Sequence, residues 1–347
     1  MKKNRSVYLS VLNVVSCFAV VAMHANTRFW TFSATERYWL TANLIECIMF
    51  FAVPVFFMIS GATLIDYRDK YTTSVFFQKR IQKTVIPFLV WSVIGALYRW
   101  WQTPDMFCNL QGNWILWFIR KILNTEFVTI YWFFIPLFSI YLCIPVLSAI
   151  SKEKREEVFR YAVVVTFLIN SLIPFLCRLS GSDFSWKLTF PVCGEYLIYI
   201  LLGYLLSKQK LSSGQRTGLY LMALAGLFMH AAGTYFSSVS AGELVRTFKG
   251  YTNVPCMLYS VGVFVFLKEL SDRIHSEKTL HFLEIFSGYT FSIYLLHWYV
   301  LDYLTKWLHL NSFSIIYRVG MPFIVIPICI GITAIIRRIP GGKYIVP

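Results

Sequence analysis

Residues Tyr8–Thr27 read YLSVLNVVSCFAVVAMHANT, a run with no carboxylate, lysine or arginine. A helix needs about 20 apolar residues to cross the hydrocarbon of a bilayer, and this stretch supplies them. Two strongly polar side chains interrupt it, Asn13 and His24. On a helix they lie about three turns apart, within roughly 20° of one face and ~16 Å along the axis. Hydrocarbon does not hold an amide and an imidazole on one stripe without cost, so the stripe is expected to face protein or water. It is the first candidate for the wall of a functional site.

The rest of the 347-residue chain repeats the pattern. It is 57% hydrophobic and 14% charged, with a mean hydropathy of +0.59. Its apolar residues come in blocks of about twenty separated by short polar segments. This excludes a soluble domain and predicts an all-α, polytopic protein of about ten transmembrane helices, multi-pass in the cell membrane, with both termini cytoplasmic. No linker or internal repeat divides it, so one domain over 1–347 is expected. The first run lacks a small-residue cleavage site and a second span follows, so it reads as a retained helix. A net charge of +15 would suit nucleic acid, but about two thirds of the 32 Lys and Arg fall on the segments read as cytoplasmic. That bias follows the positive-inside rule and makes the lipid bilayer, not nucleic acid, the partner. The eight cysteines include no C-x-x-C pair, and all but Cys108 fall in spans. Neither a disulfide framework nor a metal site follows. Cys177 and Cys193 could pair near their helix ends, with buried inert thiols as the alternative.

The second span is expected over Tyr38–Ile65. Asn43 and Glu46 sit on one face of its outer half, and Pro54 and Ser60–Gly61 permit a kink. A basic segment, Asp66 to Lys83, precedes a third span from about Thr84 to the Trp100–Trp101 belt. Trp114–Leu123 is too short to cross and is placed flat on the outer surface. Further spans are expected over Phe127–Ser148, Val158–Cys177, Pro191–Ser207 with Glu195 near its outer end, and Thr217–Phe236 with His230. The last three are Val254–Leu267, Phe282–Leu304 with His297, and Ile315–Ile336. Counting along these spans puts His24, Glu46, Glu195, His230 and His297 in the outer half of the membrane, which predicts a polar pocket opening outward.

Three stretches together resemble the acyltransferase-3 family of integral membrane acyltransferases: AVVAMH ending at His24, FAVPVFFMISGATL (Phe51–Leu64) and FSIYLLH (Phe291–His297). QKRIQKTVIPFLVW (Gln78–Trp91) and YWFFIPLFSIYLCIPVL (Tyr131–Leu147) match in position and character. The resemblance runs nearly end to end. It implies a ten-helix membrane fold and transfer of an acyl group, often acetyl, from cytoplasmic acyl-CoA to a hydroxyl of a carbohydrate acceptor. Two positions depart from the family pattern. Asn13 stands where Arg is usual, which keeps hydrogen bonding but removes a fixed charge, and Ile130 stands where His is often found.

Within that reading His24 is the candidate base for the acceptor hydroxyl, or itself the acyl carrier; the bland alternative is a core imidazole bonded to a carbonyl. Glu46 would orient His24, against a helix–helix hydrogen bond. His297 is a third catalytic candidate, against interface packing beside Trp298. Asn13, Asn43, Trp132, Glu195 and His230 are supporting or pocket candidates, each with a packing or solvation alternative. Lys79, Arg80 and Lys83 recur at helical spacing, and the resemblance implies that they hold the CoA phosphates; a positive-inside flank is the alternative. The rival function is a carrier or flippase for a glycan or small solute, which would be expected to show paired half-helices or two-fold repeats.

Overall fold

A computed structural model of the protein describes residues 2–107, 112–181 and 186–347, with all of their side chains except those of residues 2–6 and 106. Their regular structure is helical. Helix α1, Lys2–Ala25, carries the opening stretch. It is apolar on most sides, and a helix of that kind becomes enclosed by its neighbours.

The second long run is broken in two, as α2 (Arg37–Met49) and α3 (Ala52–Leu64). Pro54 causes the break: it has no N–H to give the carbonyl of Phe50, and its ring crowds that oxygen. Ser60 and Gly61 do not kink the chain and remain inside α3. Helices α4 (Thr73–Arg80) and α5 (Ile86–Gln102) are joined without interruption by a π-turn over Ile81–Val85. The third run thus starts well before the expected Thr84, capped by the Thr72 hydroxyl on Val75 N–H. A ten-residue α6 (Trp114–Leu123) follows, then α7 (Phe134–Ala149). Helices α8 (Lys152–Thr166) and α9 (Ile173–Leu179) are fused through a second π-turn. After them come α10 (Leu197–Lys208), α11 (Ser213–Ala241) and α12 (Val254–Ser271). The last are α13 (Glu277–Ser287), α14 (Thr290–Trp307) and α15 (Ile315–Ile336), the final one within its expected bounds.

Among the described residues eight helical stretches are long and apolar enough to cross a membrane, so the protein is an all-α, multi-pass membrane protein. Ten were expected, and two expectations need correction. The sixth span is a 12-residue helix starting at Leu197, only ~18 Å long. Glu195 lies before it in a turn, exposed and with φ +33°. The ninth span splits at Gly288–Tyr289, and α14 holds His297, Asp302 and Lys306, which leave it less apolar than those eight stretches. The proposed Cys177–Cys193 pair is not formed, both thiols being free; Cys108 lies outside the described residues.

Helix α1 packs against α3, α12, α13, α14 and α15. One of these neighbours, α3, meets α10 backbone to backbone. A Cβ on Gly61 would stand 2.0 Å from the Ile200 carbonyl oxygen, and one on Gly203 would stand 2.0 Å from that of Met58. Small residues at a crossing let helices in lipid approach this closely.

Candidate active site

Helices α1 and α14 bring two imidazoles together. His24 Nδ1 lies 2.7 Å from His297 Nε2, with the rings 27° from parallel. His297 Nδ1 in turn lies 3.0 Å from the carbonyl oxygen of Ile293, one turn back on α14. A carbonyl only accepts, so His297 carries its proton on Nδ1 and a lone pair on Nε2. His24 therefore donates from Nδ1, and its own Nε2 holds a free lone pair. His297 is fully buried while His24 is half-buried.

Three cavities run in series past this pair. A basic chamber of about 670 Å³ is lined by Arg80, Lys83, Arg337 and Lys343 together with Asn13, Ser60, Tyr141 and Ser287. No Asp or Glu side chain lines it among the described residues, and Arg337 donates to the Pro347 oxygen at its wall at 2.8 Å. A narrow waist of about 150 Å³ follows, walled by Val20, Met23, Val53 and Tyr294. It shares Asn13, Phe56, Phe133 and Phe291 with the basic chamber. Beyond it an aromatic chamber of about 680 Å³ is lined by Trp30, Phe50, Trp132, Tyr196, Tyr251 and Trp298. His24, Met23, Ile130, Trp132 and Tyr251 border both waist and aromatic chamber. The polar stripe of α1 thus runs along the series, with Asn13 at one junction and His24 at the next. Asn13 Nδ2 donates to Ser287 Oγ at 3.3 Å.

The structure places the other candidates unevenly. Glu46 does not touch His24. It pairs instead with Lys249 at 2.7 Å, both side chains buried, in the wall of the aromatic chamber. That corrects the expected Glu46–His24 contact: Lys249 engages the carboxylate, and His24 Nδ1 already has its partner in His297 on α14. Asn43 donates to the Ala231 carbonyl at 2.9 Å and lines none of the three cavities. His230 is buried beside Phe50, away from the chambers, with no hydrogen-bond partner on either ring nitrogen among the described residues. Glu195 is on the surface, and the expected convergence of five outer groups reduces to His24, His297 and Glu46. Arg80 and Lys83 face the basic chamber, whereas Lys79 folds over the Tyr71 ring, 4.0 Å from its centroid. The π-turn at Ile81–Val85 separates Lys83 from the regular helical register, a local distortion common at working sites.

Sequence reasoning missed several wall residues. Arg337 and Lys343, in the basic stretch after the last span, close the basic chamber from the far end of the chain. Lys249 and Arg246 sit in a loop with no motif. Tyr294 could have been found, since it falls one turn before His297; its hydroxyl donates to the Ile130 carbonyl at 2.5 Å.

A family model described as an acyltransferase domain, of the acyltransferase-3 type, matches residues 6–337. The chain belongs to the acyltransferase-3 family. It is also 25% identical over 311 residues to a protein of Bacillus subtilis (strain 168) named "Putative membrane-bound acyltransferase YfiQ", covering 83% of this chain and 79% of that one. No solved structure matches. Membership makes the protein a membrane-bound acyltransferase, transferring groups other than aminoacyl.

Proposed function

We propose that this acyltransferase-3 protein moves an acyl group, acetyl in the first instance, from cytoplasmic acyl-CoA to a hydroxyl of a cell-surface glycan or its lipid-linked precursor. The observation that carries the reading is the series of cavities meeting at His24, with four cations and no Asp or Glu side chain at one end among the described residues. The basic chamber suits the nucleotide phosphates of CoA, since guanidinium and ammonium groups bind phosphate best where no carboxylate competes. We place that chamber on the cytoplasmic side, where the positive-inside rule puts its residues. The apolar waist suits the thin pantetheine arm, which would carry the thioester to His24. The aromatic chamber suits the acceptor, whose ring faces can pack on indoles while hydroxyls stay wet.

The step is a direct transfer. His24 Nε2 takes the proton of the acceptor hydroxyl as its oxygen forms a bond to the thioester carbonyl carbon. The C–S bond then breaks, and the CoA thiolate recovers that proton from His24. His297 holds the tautomer throughout, and Asn13 would bond the pantetheine or the carbonyl as it passes. A positioned base contributes about 10²–10⁴ in rate.

Mass analysis of envelope glycans from cells with and without the protein tests the reading. One acyl unit should be lost without it, and again with a membrane-inserted His24→Ala variant. Identical glycans in the two strains would remove the acceptor class, and full activity in His24→Ala would remove the base.

A further inference from the structure

The walls of the aromatic chamber carry a charge that the transfer step does not use. Three side chains that carry a formal charge at neutral pH line it: Glu46, Arg246 and Lys249. Two of them cancel. Lys249 Nζ lies 2.7 Å from Glu46 Oε1 with both groups buried, and its ammonium is further enclosed by the rings of Phe50, Phe29 and Trp30 at 3.7, 4.5 and 5.4 Å. That lysine has neither the exposure nor a free direction to meet a ligand. Arg246 is different. It is exposed, it lines the chamber, and among the described residues its guanidinium has no ion pair or side-chain hydrogen bond.

The loop that bears Arg246 is fixed. Ser238 Oγ accepts from Val245 N–H at 3.0 Å, the Arg246 carbonyl accepts from Lys249 N–H at 3.0 Å, and Asn253 Nδ2 donates to the Thr247 carbonyl at 3.2 Å. The Tyr199 hydroxyl binds the Tyr251 carbonyl from below. A held loop thus presents one uncompensated guanidinium to an aromatic-walled space that also touches His24. A planar fork of donors on a preorganised backbone matches carboxylate or phosphate oxygens two at a time.

We propose that the aromatic chamber selects an anionic acceptor, a sugar unit carrying a carboxylate or phosphate, and that Arg246 is its anion anchor. This rests on the reading of the chamber as the acceptor side, and the test separates the two. Purified protein in nanodiscs would be titrated with methyl glucuronide, glucose phosphate and methyl glucoside, following the fluorescence of the chamber tryptophans. At least one charged probe should bind about tenfold more tightly than the neutral glucoside, a difference of ~1.4 kcal/mol. Arg246→Gln should erase that difference while leaving glucoside binding as it was. The better of the two charged probes tells carboxylate from phosphate. Equal signals from charged and neutral probes, including none from either, would overturn the proposal, as would an undiminished preference in Arg246→Gln. Transfer of radiolabelled acetyl from acetyl-CoA to the same probes is measured separately. Anion binding through Arg246 without transfer would defeat the transferase reading and leave the anion site standing. Transfer with no charge preference would do the reverse.

Discussion

His297 makes one bond to a backbone carbonyl and one to His24, and those two bonds fix where the His24 proton sits. Replacing it by Phe keeps the ring volume but leaves His24 Nδ1 without an acceptor, so the imidazole can flip or change tautomer. We expect His297→Phe to lower kcat on the order of 10²-fold, within the range a positioned base supplies, with little change in KM for acetyl-CoA. A change confined to KM would mean that His297 shapes binding instead. The pair Glu46–Lys249 poses a different question, because breaking a buried ion pair strands a charge. Either Glu46→Gln or Lys249→Met alone should cost ~3–5 kcal/mol, and the double variant clearly less than the sum. Thermal denaturation in detergent reads this, and strict additivity would show the two charges to be independent. The stripe of Asn13 and His24 was legible in the sequence, since helical periodicity is local. The partner of Glu46 was not, because Lys249 lies 203 residues away in a loop that no periodicity describes.

Helices repeat the same division between local and distant information. The break between α2 and α3 was readable from Pro54, which removes a donor four residues ahead of Phe50. The split at Gly288–Tyr289 was not, because the carbonyl freed at Gly288 is taken by Arg337, at 2.8 Å, from the end of another helix. The sixth span was overlong in the sequence for a related reason: Pro191 and Val192 are apolar but precede a turn in which Glu195 adopts a left-handed conformation. Gly61 looked like a hinge in the sequence, yet it and Gly203 each meet the backbone of the opposing helix. No flexible side chain can yield there. Gly203→Ala should therefore push α10 from α3 and destabilise the protein by ~1–3 kcal/mol or more. Gly214→Ala, at a position with open space, should not. Equal melting temperatures for the two variants would show that the crossing relaxes freely.

Along the axis of α1 the three cavities differ in charge and shape: a cluster of four cations at one end, mostly aromatic rings at the other, and an apolar waist between them. The net charge of +15 therefore acts twice, orienting the chain in lipid and leaving Arg80, Lys83 and Lys343 free of carboxylate partners beside one cavity among the described residues. The second use was invisible in the sequence because Lys343 comes from the far end of the chain and meets the other two only in the fold. If these cations hold donor phosphates far from the reacting carbonyl, they bind ground state and transition state alike, and their loss should raise KM without lowering kcat. We expect Arg80→Gln with Lys83→Gln to raise KM for acetyl-CoA roughly tenfold or more, each charge-assisted contact being worth ~1.5–3 kcal/mol. Added salt should weaken the unmodified protein towards the same KM, since mobile ions screen an open chamber. The discriminating control is pantetheine-linked acetyl without the nucleotide: its KM should be high in both proteins and indifferent to the double substitution. A fall in kcat with KM unchanged would instead place these side chains in the path of the thioester, and the basic chamber would no longer be a phosphate site.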